Sequence, residues 1–439
     1  MSIEIRKKYE LCARTERNYE QMKINQRVIR TVVAFMLVIA TMLSMSSCLF
    51  VDYGTIQDII NGGDQGGGGQ HNPPEKDPST NPDDDENKDE NGETTDVPDF
   101  YPGTESGNIE SVTLLHQTLL STVVVVADSY VGSGVFYQVD KEKGDAYIIT
   151  NQHVVFKNKQ GIKNIKIYLY GMVLESYAIE AKYIGGTTAY DIAVLKIEGS
   201  EILKKSLAQP ATLGKSADVR MFDTVYAVGN PDGSGFSATQ GIISVRSENL
   251  DLYAADDQLI TVRVMRVDAA INQGNSGGGL YDENGKLIGI VNAKSSGTLI
   301  DNIGYAIPID LAKNLADNII YHCDGETMTK LNRAMLGITI SAKVIGPVID
   351  ENGKLLEGAL VQVMEVSNSS LAYGKVEVDD IVNSISVDGV KVNATEVYVI
   401  PEHMLTARVG SEIVMNITRG EETFDITFTI TEDAITLEK

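Results

Sequence analysis

Residues 267–278 read VDAAINQGNSGG, an apolar run that gives way to a glycine-rich turn with Ser276 at its centre. Two segments upstream complete a pattern: TNQHVV places His153 at the end of an apolar run, and DIAVLKI opens one with Asp191. A serine hydroxyl is a weak nucleophile until a base removes its proton, and a histidine held in the right tautomer by a carboxylate can be that base. The order His, Asp, Ser therefore predicts a site for nucleophilic catalysis.

The chain around these segments has the pattern of an all-β domain. From residue 111 to residue 307 it consists of short runs rich in valine and isoleucine, separated by glycine, asparagine and aspartate. Such runs are typical of strands joined by turns. The predicted strands are 121–128, 146–155, 166–171, 191–197, 224–229, 239–245, 261–267 and 286–293. About 200 residues of this pattern predict a β-barrel or β-sandwich.

The glycines beside Ser276 have a chemical reason of their own. Acyl transfer needs backbone N–H groups aimed at the negative charge that develops on the substrate oxygen, and we expect them from Gly274 and Ser276. Bulky side chains would obstruct that turn, and one such donor contributes roughly 3 kcal/mol in the transition state.

Taken together, the motifs resemble those of the HtrA/Deg family of serine proteases, from about residue 111 to the C-terminus. The matching segments are GSGVF (132–136), TNQHVV (150–155), DIAVLKI (191–197), GNPDGSGFSATQGIIS (229–244), VDAAINQGNSGG (267–278) and IGYAIPID (303–310). The resemblance implies a mostly β, chymotrypsin-like protease domain of two perpendicular six-stranded barrels with the site between them. It makes His153 the base, Asp191 the orienting acid and Ser276 the nucleophile, with Gly274 and Asn275 completing the oxyanion loop.

Substrate preference is predicted from Ala270, six residues before the nucleophile, where trypsin-like specificity would need aspartate. We expect a primary pocket for small or medium apolar side chains. Asn275 replaces the aspartate that pairs with a newly cut N-terminus in digestive enzymes, so activation by N-terminal cleavage is not expected. Two positions depart from the family: Gly279 replaces a proline, and Asp232 replaces an aromatic residue.

The C-terminal part predicts a second domain. IDLAKNLADNII, residues 309–320, has apolar residues at helical spacing and predicts an amphipathic helix that closes the protease domain. Strand-like runs return after residue 334 and resemble a PDZ domain, in which Leu336, Gly337 and Ile338 would form the loop that binds a peptide carboxylate. Residues 346–358 are an atypical insertion, and a β-domain without peptide affinity is the alternative.

The N-terminus is predicted to be a targeting signal or a membrane anchor. An uncharged run from Thr31 to Met45 follows basic residues and ends before Cys48, which resembles a bacterial lipoprotein signal with Cys48 as the lipidated residue. The alternative is an uncleaved single-pass anchor, and Met22 is an alternative start that would give a signal of ordinary length. Either reading puts the bulk of the chain at the extracytoplasmic face of the cell membrane.

Composition sets the remaining limits. The 439 residues carry a net charge of −24, which disfavours nucleic acid as a partner. Residues 48–105 contain fifteen acidic and two basic residues, which predicts a flexible acidic linker before the protease domain. Three distant cysteines predict neither a disulfide framework nor a zinc site, and no cofactor or metal is expected. The predicted layout is 1–47 N-terminal extension with signal or anchor, 48–107 linker, 108–322 protease domain and 331–439 PDZ-like domain.

The predicted function is that of an ATP-independent serine endopeptidase that cleaves unfolded or misfolded proteins outside the cytoplasmic membrane. The resemblance also implies capture of peptide C-termini by the PDZ-like domain and assembly into a homo-oligomer, a trimer or a multiple of it. The alternative is an inactive protease-fold chaperone or PDZ peptide-binding scaffold.

Overall fold

A computed structural model describes residues 113–437, except 159, 173–174, 234, 255–257, 293–302, 324–330, 350–352 and 354. The predicted signal or anchor, the acidic linker and the lipidation site Cys48 lie outside the described residues. No helix in the described part of the chain is long and apolar enough to cross a membrane.

The first part of the described chain is a closed six-stranded barrel with strand order β1-β2-β3-β8-β7-β6. A short helix that the sequence reading did not predict precedes it, because the Thr113 side chain accepts a hydrogen bond from the His116 N–H and caps its first turn. The elements of this part are α1 (Leu114–Ser121), β1 (Thr122–Ala127), β2 (Tyr130–Asp140), β3 (Asp145–Thr150), α2 (Gln152–Val155), β4 (Phe156–Lys157), β5 (Gln160–Gly161), β6 (Ile165–Tyr168), β7 (Ile179–Thr187), β8 (Ile192–Ile197) and α3 (Glu201–Lys205). Alternate residues of the strands fill the barrel with valine, isoleucine and leucine.

A second closed barrel of six strands follows, with strand order β10-β11-β14-β13-β12-β9. Its strands are β9 (Thr224–Gly229), β10 (Ser237–Tyr253), β11 (Leu259–Val267), β12 (Gly279–Asp282), β13 (Leu287–Val291) and β14 (Gly304–Pro308). The β12–β13 turn is a hairpin, closed by a hydrogen bond of 3.0 Å from the Gly285 N–H to the Asp282 carbonyl. Two closed barrels confirm the predicted mostly β architecture.

The predicted closing helix is present as α4 (Ile309–His322). Leu311, Leu315 and Ile319 are completely buried along one face of it, as the helical spacing predicts. Full burial of such a side chain contributes about 1.5–3 kcal/mol each, so this face fixes the helix against both barrels.

The C-terminal part is a six-stranded sheet of order β16-β17-β18-β20-β21, with β19 paired to β18. Its elements are β15 (Asn332–Ala334), β16 (Ile338–Ile349), β17 (Leu355–Val366), β18 (Ile381–Val387), β19 (Val390–Asn393), α5 (Val399–His403), β20 (Glu412–Arg419), β21 (Glu422–Thr429) and β22 (Ile435–Leu437). The atypical insertion lengthens the β16–β17 hairpin well beyond the rest of the sheet. Asp388 and Gly389 form the turn between β18 and β19, and both have positive φ.

The C-terminal part is tied to the second barrel through buried polar contacts. Glu402 on α5 accepts two hydrogen bonds of 2.6 Å from the Arg263 guanidinium on β11. Burial raises the pKa of Glu402 although the charge of Arg263 opposes that shift. The Asn318 side-chain amide of α4 donates to the carbonyls of Leu405 and Asn332 at 2.9 and 2.8 Å. The two parts are thus joined by an ion pair and by side-chain hydrogen bonds to backbone carbonyls.

Candidate active site

The histidine and the aspartate predicted from the sequence lie in direct contact. His153 stands in α2, the short helix directly after β3, and Asp191 immediately precedes β8, which pairs with β3. The His153 Nδ1 lies 2.7 Å from Asp191 Oδ2, and the His153 backbone N–H donates to Asp191 Oδ1 at 2.9 Å. The His153 side chain is 35% exposed and that of Asp191 only 3%, so the ring bridges a buried carboxylate and solvent.

Two asparagines that the sequence analysis did not single out hold Asp191 in place, one through its carboxylate and one through its backbone carbonyl. The Asn292 side-chain amide, just after β13 of the second barrel, donates to Asp191 Oδ2 at 3.1 Å. The Asn151 amide donates to the Asp191 backbone carbonyl at 2.9 Å, which fixes a backbone with a φ of 53°. A left-handed φ is strained for a non-glycine residue, and the hydrogen bonds around Asp191 hold its backbone in this conformation.

The pKa of His153 follows from this environment. Burial lowers it, but the negative charge of Asp191 and the hydrogen bond to it outweigh burial, so that the pKa lies above the ordinary value of 6.5. The carboxylate therefore stabilises the imidazolium, the state that a general base reaches after taking a proton.

Ser276 lies in a tight turn of the second barrel with its side chain almost buried. Gly274 and Gly277 on either side of it have φ of 95° and 85°, values that favour glycine. The Gly277 N–H donates to the Val291 carbonyl at 2.8 Å, directly before Asn292. The turn thus ends beside the amide that binds Asp191.

The predicted oxyanion donors are available. Within the described part of the chain, the N–H groups of Gly274 and Ser276 have no hydrogen-bond acceptor. Asn275 between them is buried, and its Oδ1 has no hydrogen-bond partner among the described residues. Two uncommitted N–H groups beside a nucleophile are what stabilisation of a developing oxyanion needs.

The third contact of the predicted site is open. Among the described residues, no hydrogen bond joins Ser276 Oγ to the His153 ring. Their segments nevertheless converge on Gly132 of β2, where a Cβ would lie 2.7 Å from a Val154 methyl group and 3.2 Å from the Ser276 carbonyl. Catalytic hydrogen bonds in substrate-free enzymes are often loose and tighten when substrate binds.

The other predicted site residues lie apart from this cluster. Ala270 is exposed, and its carbonyl accepts from the Thr239 hydroxyl at 2.9 Å. Leu336 is buried, Gly337 has a φ of 76°, and Ile338 begins β16, an edge strand. In the described residues the N–H groups of Leu336 and Gly337 have no acceptor, whereas both carbonyls are occupied.

Two closed six-stranded barrels, a histidine paired with a buried aspartate and a serine in a glycine-rich turn define a chymotrypsin-like serine peptidase domain. Residues 132–290 match the family described as trypsin-like peptidase domain. The chain is 30% identical over 312 residues to "Serine protease Do-like HtrB" of Bacillus subtilis (strain 168), over 68% of this chain and 62% of that protein. It is 37% identical over 191 residues to "Serine protease Do-like HtrA" of the same organism, over 43% of this chain and 39% of that protein.

A solved structure, "HtrA-type protease AlgW with tripeptide", is 27% identical, covers 74% of this chain and 96% of its own, and has a TM-score of 0.47. The alignments span about three fifths and two fifths of the length of the two Bacillus proteins. Residues 132–290 are thus similar to trypsin-like peptidase domains, and a larger part of the chain is similar to Do-like serine proteases over part of their length.

Proposed function

We propose that the protein is an ATP-independent endopeptidase that cleaves unfolded or misfolded proteins through an acyl-enzyme formed on Ser276. The observation that carries the proposal is the pairing of His153 with buried Asp191 in a domain whose Ser276 turn offers two uncommitted N–H groups. The relatives named as serine proteases support the same chemistry.

The steps follow from the residues. Ser276 Oγ attacks the peptide carbonyl carbon while its proton passes to His153 Nε2, and the N–H groups of Gly274 and Ser276 receive the negative oxygen. The imidazolium, stabilised by Asp191, then gives the proton to the leaving amine as the C–N bond breaks. Water attacks the acyl-enzyme in the same way and releases the second product.

The primary pocket is proposed to take small or medium apolar side chains. Ala270 supplies no charge to pair with lysine or arginine, unlike an aspartate at that position. A cleavage-site profile on a denatured protein library, read by mass spectrometry, tests this. Cuts concentrated after lysine or arginine would overturn the proposed preference.

Peptide C-termini are proposed to bind the C-terminal domain at Leu336, Gly337 and Ile338. Uncommitted N–H groups before an edge strand are the features that capture a carboxylate and allow an extended peptide to add to the sheet. Binding of a fluorescent peptide with a free C-terminus, compared with the same peptide amidated, tests this. Equal affinity for both forms would contradict carboxylate capture.

The proposed location is the extracytoplasmic face of the cell membrane, through lipidated Cys48 or an uncleaved anchor, and the proposed assembly is a homo-oligomer. The sequence pattern around residues 31–48 supports the first point, and the relatives described as periplasmic endoproteases support the extracytoplasmic location. Mass spectrometry of the mature protein distinguishes a diacylated Cys48 from an intact N-terminus, and light scattering gives the oligomer size.

The catalytic assignment is tested with purified variants on β-casein. We expect Ser276→Ala and His153→Ala to abolish digestion and labelling by a fluorophosphonate probe, whereas His116→Ala, at an exposed histidine outside the site, should leave both unchanged. Digestion by Ser276→Ala at the wild-type rate would refute the mechanism. Wild-type protein that is never labelled, even with unfolded substrate present, would favour the inactive scaffold.

A further inference from the structure

Ser133 is a completely buried serine on β2 of the first barrel, in the GSGVF segment opposite the Ser276 turn. Every polar atom of this residue is engaged. Its hydroxyl donates to the Gly274 carbonyl at 2.7 Å and accepts from the Asn230 N–H at 2.9 Å. Its backbone N–H donates to the Ser276 carbonyl at 2.8 Å, and its carbonyl accepts from the Thr150 hydroxyl at 2.7 Å.

One residue thus holds the carbonyls on both sides of the nucleophile. A peptide unit is planar, so fixing its carbonyl fixes the N–H at its other end. The unit after Gly274 is held by Ser133 Oγ at one end and by the Asn272 carbonyl, 3.1 Å from the Asn275 N–H, at the other. The unit after Ser276 is held by the Ser133 N–H and by Val291.

Between these two fixed units lies the peptide unit that carries the Ser276 N–H. Its carbonyl, that of Asn275, accepts from the Gly278 N–H at 2.9 Å. Because both neighbouring peptide units and this carbonyl are fixed, the Ser276 N–H has a single orientation. It has no hydrogen-bond acceptor in the described part of the chain. The conformation of the turn therefore depends on contacts made from the other barrel.

The site around the hydroxyl is tightly enclosed. A Cβ on Gly229 would lie 3.0 Å from Ser133 Oγ and 2.7 Å from Asn275 Oδ1. Without the hydroxyl, the Gly274 carbonyl and the Asn230 N–H would both lose their partner in a buried position. Buried groups without partners drive rearrangement until they find others, and the nearest means is rotation of the peptide unit after Gly274.

We propose that Ser133 is a positioning residue for the oxyanion hole: by holding the carbonyls of Gly274 and Ser276, it fixes the two peptide units that flank the Ser276 N–H and keeps that donor directed at the substrate oxygen. The inference rests on the proposed peptidase mechanism. Ser133 has no hydrogen bond to His153 or Asp191 in the described structure, so it acts on oxyanion stabilisation and leaves the base unchanged.

The test compares Ser133→Ala with Ser121→Ala, which removes another buried hydroxyl, one bonded to the Thr118 carbonyl and to Tyr281 away from the turn. Steady-state kinetics on a short peptide amide give kcat and KM, and competition gives the Kd of a peptide boronate, an analogue of the tetrahedral intermediate. Loss of a whole oxyanion donor lowers kcat about 10²–10³-fold, so misdirection of donors should lower it by roughly 10–100-fold.

We expect Ser133→Ala to lower kcat in this range with KM changed less than about threefold, and to weaken boronate binding in parallel. The acid limb of the pH profile should stay at the wild-type midpoint. Ser121→Ala should keep the wild-type kcat per folded molecule. Ser133→Cys, which keeps the size but donates a weaker hydrogen bond, should fall between wild type and alanine, and it serves alone if the alanine variant does not fold.

The positioning role is overturned if folded Ser133→Ala retains wild-type kcat and boronate affinity, or if Ser121→Ala lowers kcat by the same factor. It is also overturned if the loss appears in KM alone or moves the pH midpoint. Failure of the proposed mechanism has a different signature, since Ser276→Ala would then digest protein at the wild-type rate.

Discussion

Replacement of Asp191 by asparagine is the sharpest test of the site because the structure dictates which way the new amide must point. Asp191 Oδ1 accepts from the His153 backbone N–H, a donor that cannot change its role. The asparagine must therefore keep its oxygen there and place its nitrogen at the Oδ2 position, 2.7 Å from His153 Nδ1. The Asn292 amide, which donates to Oδ2 of the aspartate, can turn its own oxygen toward that nitrogen. At His153, two donors would meet, so the ring must carry its proton on Nε2 and present Nδ1 as the acceptor.

That tautomer cannot take the proton of Ser276. A neutral asparagine that enforces the wrong tautomer in such a triad lowers kcat by about 10⁴-fold, which corresponds to about 5.4 kcal/mol of transition-state free energy. KM should change less than about threefold, since Asp191 is buried and does not face the substrate. The pH profile moves too: Asp191 raises the pKa of His153 above 6.5, so the acid limb of kcat/KM of the wild type has its midpoint above that pH. Without the carboxylate only burial remains, and the midpoint should fall below 6.5.

Digestion of a peptide amide from pH 5 to pH 9 measures both effects. Asp268→Asn is the matched control, because the Asp268 carboxylate accepts from the Ile242 N–H at 2.6 Å and has no bond to His153 in the described structure. The control should retain activity and pH midpoint. An Asp191→Asn variant with kcat within tenfold of wild type, or with an unmoved acid limb, would refute the assigned orientation.

Further changes probe the packing around the site. Glu402→Ala leaves the Arg263 guanidinium buried without its partner, which should lower the free energy of unfolding by about 3–5 kcal/mol. Calorimetry should show the C-terminal part unfolding at a lower temperature, and an unchanged transition would count against a buried ion pair. Gly277→Ala should abolish fluorophosphonate labelling, because its Cβ would lie 2.2 Å from the Ser133 carbonyl at a φ of 85°; normal labelling would contradict the described turn. Tyr281→Phe should lower the free energy of unfolding in urea by about 1–2 kcal/mol, since the phenol is completely buried between two hydroxyls, with kcat unchanged.

The β architecture and the positions of the candidate site residues could be predicted because each follows from local sequence. Valine- and isoleucine-rich runs between turn residues predict strands. The GNSGG turn contains glycine at the positions where the backbone has positive φ. The helix α1 was missed since Leu114–Ser121 has no strong periodic pattern, and β10 is 17 residues long where the sequence indicated seven.

Ser133 and Asn292 could not be recognised in the same way. A hydroxyl or an amide becomes a support only when strand register brings it to a particular partner, and the partners lie 141 and 101 positions away along the chain. The open contact between Ser276 and His153 is also beyond sequence reasoning, because residue types do not give the distance between two side chains of different barrels. Residue types set the chemistry, whereas the closure of the barrels sets the distances.

The division of the site between two barrels has a consequence for inactivation. His153 and Asp191 belong to one barrel and Ser276 to the other, and the bonds that cross the seam also hold the reactive groups in place. A slight shear of one barrel against its neighbour would separate His153 from Ser276 while each barrel stays folded. If the proposed mechanism holds, we expect peptidase activity to be lost before either barrel unfolds.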